Sequence, residues 1–169
     1  MKASASSLPR RKIQTQLWCY SMLKIKIIPV GKLKEKFYIE ACKEYIKRLD
    51  FYCKTEIKEL PEGGGLAKEA ELIKAELIPG SFVIAMCIEG KLHSSEELAD
   101  VIQKAQNRGK SAICVLLGSS DGMDESVKAM ADLRLSMSRM TFPHHLARVM
   151  VLEQIYRAMN INGGGKYHK

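Results

Sequence analysis

The chain is 169 residues long, 46% hydrophobic and 27% charged, enough for one domain with a buried core and unlike a disordered chain. Its net charge is +8, but Lys2, Arg10, Arg11 and Lys12 fall in the first 21 residues without an acid, so half the excess lies there. The body is mildly basic, which permits an RNA partner without requiring one, and no apolar run approaches the ~18 residues of a membrane span.

Residues 1–21 are Ser-rich, basic and acid-free, and are set apart from a single domain over 22–169. They read either as an organelle targeting segment or as an upstream start, the second being favoured because Met22 directly precedes a strong strand. The cysteines (Cys19, Cys42, Cys53, Cys87 and Cys114) are odd in number and form no C-x-x-C pair. That usage suits a reduced, cytoplasmic setting, with neither a disulfide frame nor a metal site.

The β-branched run Lys24–Val30 predicts a first strand, and Pro29 near its end implies a sheet edge or a strand terminus. Apolar residues recur at helical spacing over Glu35–Leu49, with Lys47 and Arg48 suited to the negative end of a helix. Cys53–Leu60 alternates as a half-exposed strand, and Pro61 with Gly63-Gly64-Gly65 breaks the chain. Leu66–Leu77 predicts a second helix, stopped before Pro79-Gly80. Phe82–Ile88 is continuously apolar, as in a parallel strand buried on both faces, and Glu89-Gly90-Lys91 is expected to turn out of it.

Ser94 and Glu97 form a capping box opening a helix over Ser95–Asn107. Ala112–Leu117 is another buried strand, Asp124–Ala131 a short helix and Leu133–Ser136 a short strand. Pro143 starts the last helix, His144–Ile161. This alternation gives an α/β class with a mainly parallel sheet flanked by helices.

Gly118-Ser119-Ser120-Asp121-Gly122 follows a buried strand, where glycines let backbone amides approach a ligand. It lacks a G-K-[ST] phosphate signature and reads equally as an ordinary turn or a ligand loop. Met86 and Cys87 are core residues unless their strand end abuts that turn, as adjacent parallel strands would require. His144 and His145 point about 100° apart on a helix, which argues against a shared metal. The last helix is apolar almost all round, so Arg148, Glu153 and Arg157 on it must be paired or functional, a structural Arg–Glu pair being the plain alternative. No nucleophile stands with a base in a G-x-S-x-G pattern.

Three motifs, L-S-M-S-R-M-T-F-P-H-H-L-A-R-V, E-Q-I-Y-R-A and the terminal Tyr167-His168-Lys169, resemble the ribosomal RNA large subunit methyltransferase H family of the knotted SPOUT class. The likeness runs from Met22 to Lys169. It implies a C-terminal trefoil knot, a homodimer, and transfer of a methyl group from S-adenosyl-L-methionine to N3 of a pseudouridine in helix 69 of 23S rRNA within assembled ribosomes. Neither a metal nor a membrane is implied. Carried over, the donor pocket falls on Met86, Gly118, Met137, Ser138, Arg139, Met140, Thr141 and Phe142. Tyr167 or His168 on the glycine-hinged tail is expected to assist proton removal or to orient the target, and Arg148 to hold a phosphate or the developing anion. The family usually has a second glycine at the position of Ser119 and leucine at that of Met86. The same donor site acting on another RNA such as tRNA, or a non-catalytic ribosome-binding protein, are the competing readings.

Overall fold

The computed structural model describes residues 23–168. The segment carrying the targeting or upstream-start reading, and Lys169, lie outside the described residues. Strands β1 (Lys24–Pro29), β2 (Lys54–Ile57), β3 (Phe82–Leu92), β4 (Ala112–Leu117) and β5 (Leu133–Ser136) form one sheet in the order β2-β1-β4-β3-β5, every neighbouring pair parallel. Between them run helices α1 (Lys36–Leu49), α2 (Leu66–Glu76), α3 (Ser95–Asn107), α4 (Glu125–Met130) and α5 (His144–Asn162).

Side-chain alternation along the strands explains why both faces need a helical cover. In β4, Ile113, Val115 and Leu117 pack with residues of α1, α3 and α5, while Cys114 and Leu116 face α2 and α4. Lys26 is the buried polar exception in interior strand β1. Its ammonium donates to the Glu76 backbone carbonyl at 2.9 Å and to the Glu76 carboxylate at 2.7 Å, so a buried cation meets the negative end of α2. The capping box at Ser94 forms as expected: Glu97 N donates to Ser94 Oγ at 3.2 Å and Ser94 N to Glu97 Oε2 at 2.7 Å.

Three details differ from the sequence pattern or settle it. Pro29 marks a strand terminus, since β1 lies between β2 and β4. Regular pairing in β2 stops at Ile57, and Leu60 returns only as an isolated bridge to Val30. Glu89-Gly90-Lys91 does not turn away; β3 continues to Leu92, with a register shift in its pairing to β5 between Met86 and Lys91. A bulge absorbs residues that the apolar pattern could not place in a ladder. Gly90 makes it possible, because a Cβ there would sit 2.6 Å from the Leu135 carbonyl carbon.

Candidate functional site

The register brings Met86, midway along β3, opposite Leu117, the last residue of β4, so β3 runs on past the Gly118 turn, with β5 on its other side. Over this stretch lies a crevice of about 370 Å³. Met86, Gly118, Met137, Ser138, Met140, Thr141 and Phe142 all line it, gathered from three separated stretches of chain. Arg139 does not; it is exposed on the outer side of the same loop.

Gly118 is required by contact, since a Cβ there would collide with the Gly122 carbonyl oxygen. Gly122 has φ +96°, and its amide donates to the Ser119 carbonyl at 3.0 Å, closing the turn. Ser119 is buried, and its hydroxyl donates to Glu69 Oε2 at 2.9 Å. The other oxygen of Glu69 accepts from the Gly63 amide at 2.9 Å. A buried carboxylate thus ties the turn to the loop entering α2, and the serine fits because that partner exists. The outer wall is self-braced: Ser136 Oγ donates to the Ser138 carbonyl at 2.9 Å, and Met140 N donates to Ser138 Oγ at 3.0 Å.

Among the lining residues that sequence reasoning missed are Glu89 and Lys128, which form a close ion pair at the crevice. The hydrogen bond from Lys128 pulls the Glu89 carboxyl below its ordinary range, and the same bond raises Lys128. Their signal was hidden because residue 89 was placed in a turn and residue 128 on a short surface helix. Cys87 also lines the wall, its thiol pushed up by burial.

Arg148 is not brought to the crevice. It is 1% exposed, pairs closely with Glu59 and donates from Nη2 to the Gly31 carbonyl at 2.9 Å. Glu59 also accepts from the Leu33 amide at 3.1 Å, so this fork pins the loop after β1. The bidentate guanidinium geometry explains why arginine stands there.

The tail is docked against α5 and the start of α3. Tyr167 donates from its hydroxyl to Glu153 Oε1 at 3.1 Å and from its amide to Asn160 Oδ1 at 3.1 Å. Burial, then the Glu153 bond, pushes the Tyr167 phenol up to about 12. Arg157 lies over the Tyr167 ring, 4.6 Å from its centroid, and binds Glu153 at 2.6 Å. His168 Nε2 lies 2.6 Å from Glu96 Oε1. Glu153 and Arg157 therefore form the structural pair that the sequence left open, with the tyrosine seated on it. Neither Tyr167 nor His168 lines the crevice of its own chain.

Among the described residues no cluster of three or more His, Cys, Asp or Glu side chains could hold a metal ion. No helix there is long and apolar enough to cross a membrane.

The family model described as "Predicted SPOUT methyltransferase" matches residues 23–168. The chain is 44% identical over 159 residues to the Ribosomal RNA large subunit methyltransferase H of Bacillus pumilus (strain SAFR-032), covering 87% of this chain and 100% of that one. To the protein of the same name from Clostridioides difficile (strain 630) it is 46% identical over 160 residues, with the same 87% and 100% covered. Among solved structures, a "Probable Methyltransferase" from Bordetella pertussis Tohama I superposes with a TM-score of 0.56 at 10% identity, over 86% of this chain and 99% of that one. A "probable methylase family protein" from Haemophilus influenzae Rd KW20 gives 0.54 at 15% identity, over 89% and 71%. At such identities these two likenesses speak for the fold alone.

Proposed function

This chain belongs to the SPOUT methyltransferase family, and we propose that it carries a methyl group from S-adenosyl-L-methionine to N3 of a pseudouridine in helix 69 of 23S rRNA, acting in the cytoplasm on assembled ribosomes. The observation that carries the reading is the crevice built from Met86, Gly118 and the loop 137–142. Its residues fit the donor. The volume lies in the ordinary range of small-molecule sites, and Met86, Leu117, Met123, Met137 and Phe142 offer an apolar wall for an adenine. Gly118 and Gly122 keep Cβ atoms out of the turn, and the Glu89–Lys128 ion pair supplies a polar edge.

When bound, the donor supplies a methyl group whose leaving group is a neutral thioether. The protein's share is therefore alignment more than acid assistance to the leaving side. The Gly118 turn and the self-braced loop 137–142 hold the donor in one pose. N3 faces a pairing edge, so the target base is presented unstacked. Tyr167 and His168 orient it after the tail leaves Glu153 and Glu96, with Gly163-Gly164-Gly165 as the hinge. Arg148 acts at a distance by holding the loop after β1.

A homodimer and a threaded C-terminal knot belong to the same proposal. Ile88, Leu92 and Met140 are 68%, 51% and 70% exposed, apolar surface of the kind that subunit contacts cover. Two mildly basic protomers would also pool their charge toward RNA phosphates.

The test is incubation of the protein with methyl-labelled S-adenosyl-L-methionine and ribosomes lacking the modification, followed by mass mapping of the rRNA. Label on N3 of the helix 69 pseudouridine is the expected result. Label only on tRNA, or none with the donor bound, would overturn the substrate assignment.

A further inference from the structure

A second cavity, of about 470 Å³, lies beyond the end of β1, beside the crevice. Gly31, Lys32, Lys34, Glu62, His144 and His145 are among its walls, and His144 is the one residue that lines both this cavity and the crevice. The His144 imidazole forms no hydrogen bond within the described residues, although neighbouring polar groups are tied. His145 Nδ1 lies 3.1 Å from Glu35 Oε2, and Glu62 Oε1 accepts from Ser120 Oγ at 3.1 Å, a bond reaching across to the crevice turn.

Gly31 leaves the passage open. A Cβ on it would stand 3.8 Å from His144 Nε2 and 3.4 Å from Glu62 Oε2, so ring nitrogen and carboxylate face the same small space. An imidazole without a hydrogen-bond partner among the described residues, a carboxylate facing the same space and two lysines on the rim make a site for an acidic N–H carried on a phosphodiester chain.

Resting on the methyl-transfer reading above, we propose that the cavity receives the target nucleotide, with His144 as the catalytic base and Lys32 and Lys34 on the flanking phosphates. An imide N3 carries a proton and no free electron pair suited to attack, so that proton must leave. The N3–H bond breaks and the proton passes to Nε2. The pair left on N3 forms the bond to the methyl carbon, and the pair of the broken carbon–sulfur bond stays on sulfur. Glu62 then faces an imidazolium and stabilises it.

The surroundings agree. Burial, then the charge of His145, lowers the His144 pKa from its ordinary value; Arg148 acts in the same sense, Glu62 and Glu35 in the opposite one. This favours the neutral ring, the form able to accept a proton. Tyr167 and His168, which in the reading above orient the base, leave the proton-accepting role to another group.

The experiment compares wild type, His144→Ala, His144→Gln and the double variant Lys32→Ala with Lys34→Ala. It measures single-turnover transfer to unmodified ribosomes and, separately, donor affinity by calorimetry. Both His144 variants should lose about 100-fold or more in transfer rate while donor affinity stays within about threefold. The acid limb of the wild-type pH–rate profile should vanish, and added imidazole should restore part of the His144→Ala rate. The double lysine variant should raise the ribosome concentration for half-saturation about tenfold and flatten the salt dependence. A near-normal rate in His144→Gln, or a loss of donor affinity matching the loss of rate, overturns the base assignment and leaves the methyltransferase reading standing. Wild type that never methylates a pseudouridine N3 overturns both.

Discussion

The Gly118–Gly122 turn and the Gly163–His168 tail are both short, glycine-rich and polar, yet they are held by different means. The turn is closed by its own main chain, with Gly118 packed against the Gly122 carbonyl and a hydrogen bond from Gly122 back to Ser119. The tail's glycines bond back to the end of α5 through their amides, Gly165 to the Asn160 carbonyl at 2.8 Å, but beyond them its last residues are held by side chains, Tyr167 on Glu153 and His168 on Glu96. Main-chain closure cannot be undone without displacing the strand end that carries it. Side-chain docking between partly exposed groups is weak and reversible. A donor site needs the first kind of construction and a moving tail the second.

The sharpest way to break the turn is Gly118→Ala. The new methyl group forces the turn apart, which should cost about 3 kcal/mol of stability and about 100-fold in donor affinity, read by thermal melting and calorimetry. Deleting Tyr167–Lys169 attacks the other half of the contrast. Turnover should fall about 100-fold, with donor affinity changed by less than about twofold and the melting temperature nearly unmoved. Unimpaired turnover would take the tail out of the mechanism. Arg148→Ala should act on stability, by roughly 3 kcal/mol, because it leaves Glu59 and the Gly31 carbonyl without their buried donor. A variant that folds normally and loses only transfer would return Arg148 to the chemistry.

Much of this arrangement was legible in the sequence, for identifiable reasons. The unbroken apolar runs 82–88 and 112–117 mark strands covered on both faces, while the abutment of Met86 on the Gly118 turn was conditional on those strands being neighbours, which the pairing of Met86 with Leu117 shows them to be. The loop before Pro143 was legible through its likeness to a family, since periodicity says nothing about a loop. The length of β3 was not legible, because a bulge takes Glu89, Gly90 and Lys91 out of the apolar pattern while keeping them in the sheet. The fate of Arg148 was open for a related reason. Its partners, Glu59 and the Gly31 carbonyl, lie far away in sequence and are brought close only by the α1–α5 packing layer.

Ser119→Gly sharpens the account of the turn on a smaller scale. The change removes the hydroxyl bound to Glu69 and leaves that buried carboxylate with the Gly63 amide. A loss of about 1.5 kcal/mol is expected, with the donor still bound, because the turn's own closure does not involve the serine side chain. Donor affinity falling as far as in Gly118→Ala would mean that Glu69, not the main chain, shapes the crevice.

The smallest effect tests whether the tail is independent of the turn. The Glu96 carboxyl is drawn down to about 2 from its ordinary 4.5, first by its own backbone amide, then by Ser94, and only third by His168. A carboxylate with a depressed folded pKa gives stability that is whole above the unfolded value and is lost as pH falls through the folded one. Docking should therefore weaken between about pH 4.5 and pH 2, and modestly, since His168 is the lesser cause. Amide exchange, corrected for its intrinsic pH dependence, is the suitable measurement. The Tyr167 amide, bonded to Asn160, should lose protection across that window, while the Gly122 amide, bonded within the turn, keeps it. Glu96→Gln should start from the weaker protection and show little further change. If the two amides instead lose protection together at every pH, the tail opens only when the whole domain does, and a hinge at Gly163–Gly165 has no separate motion to offer the reaction.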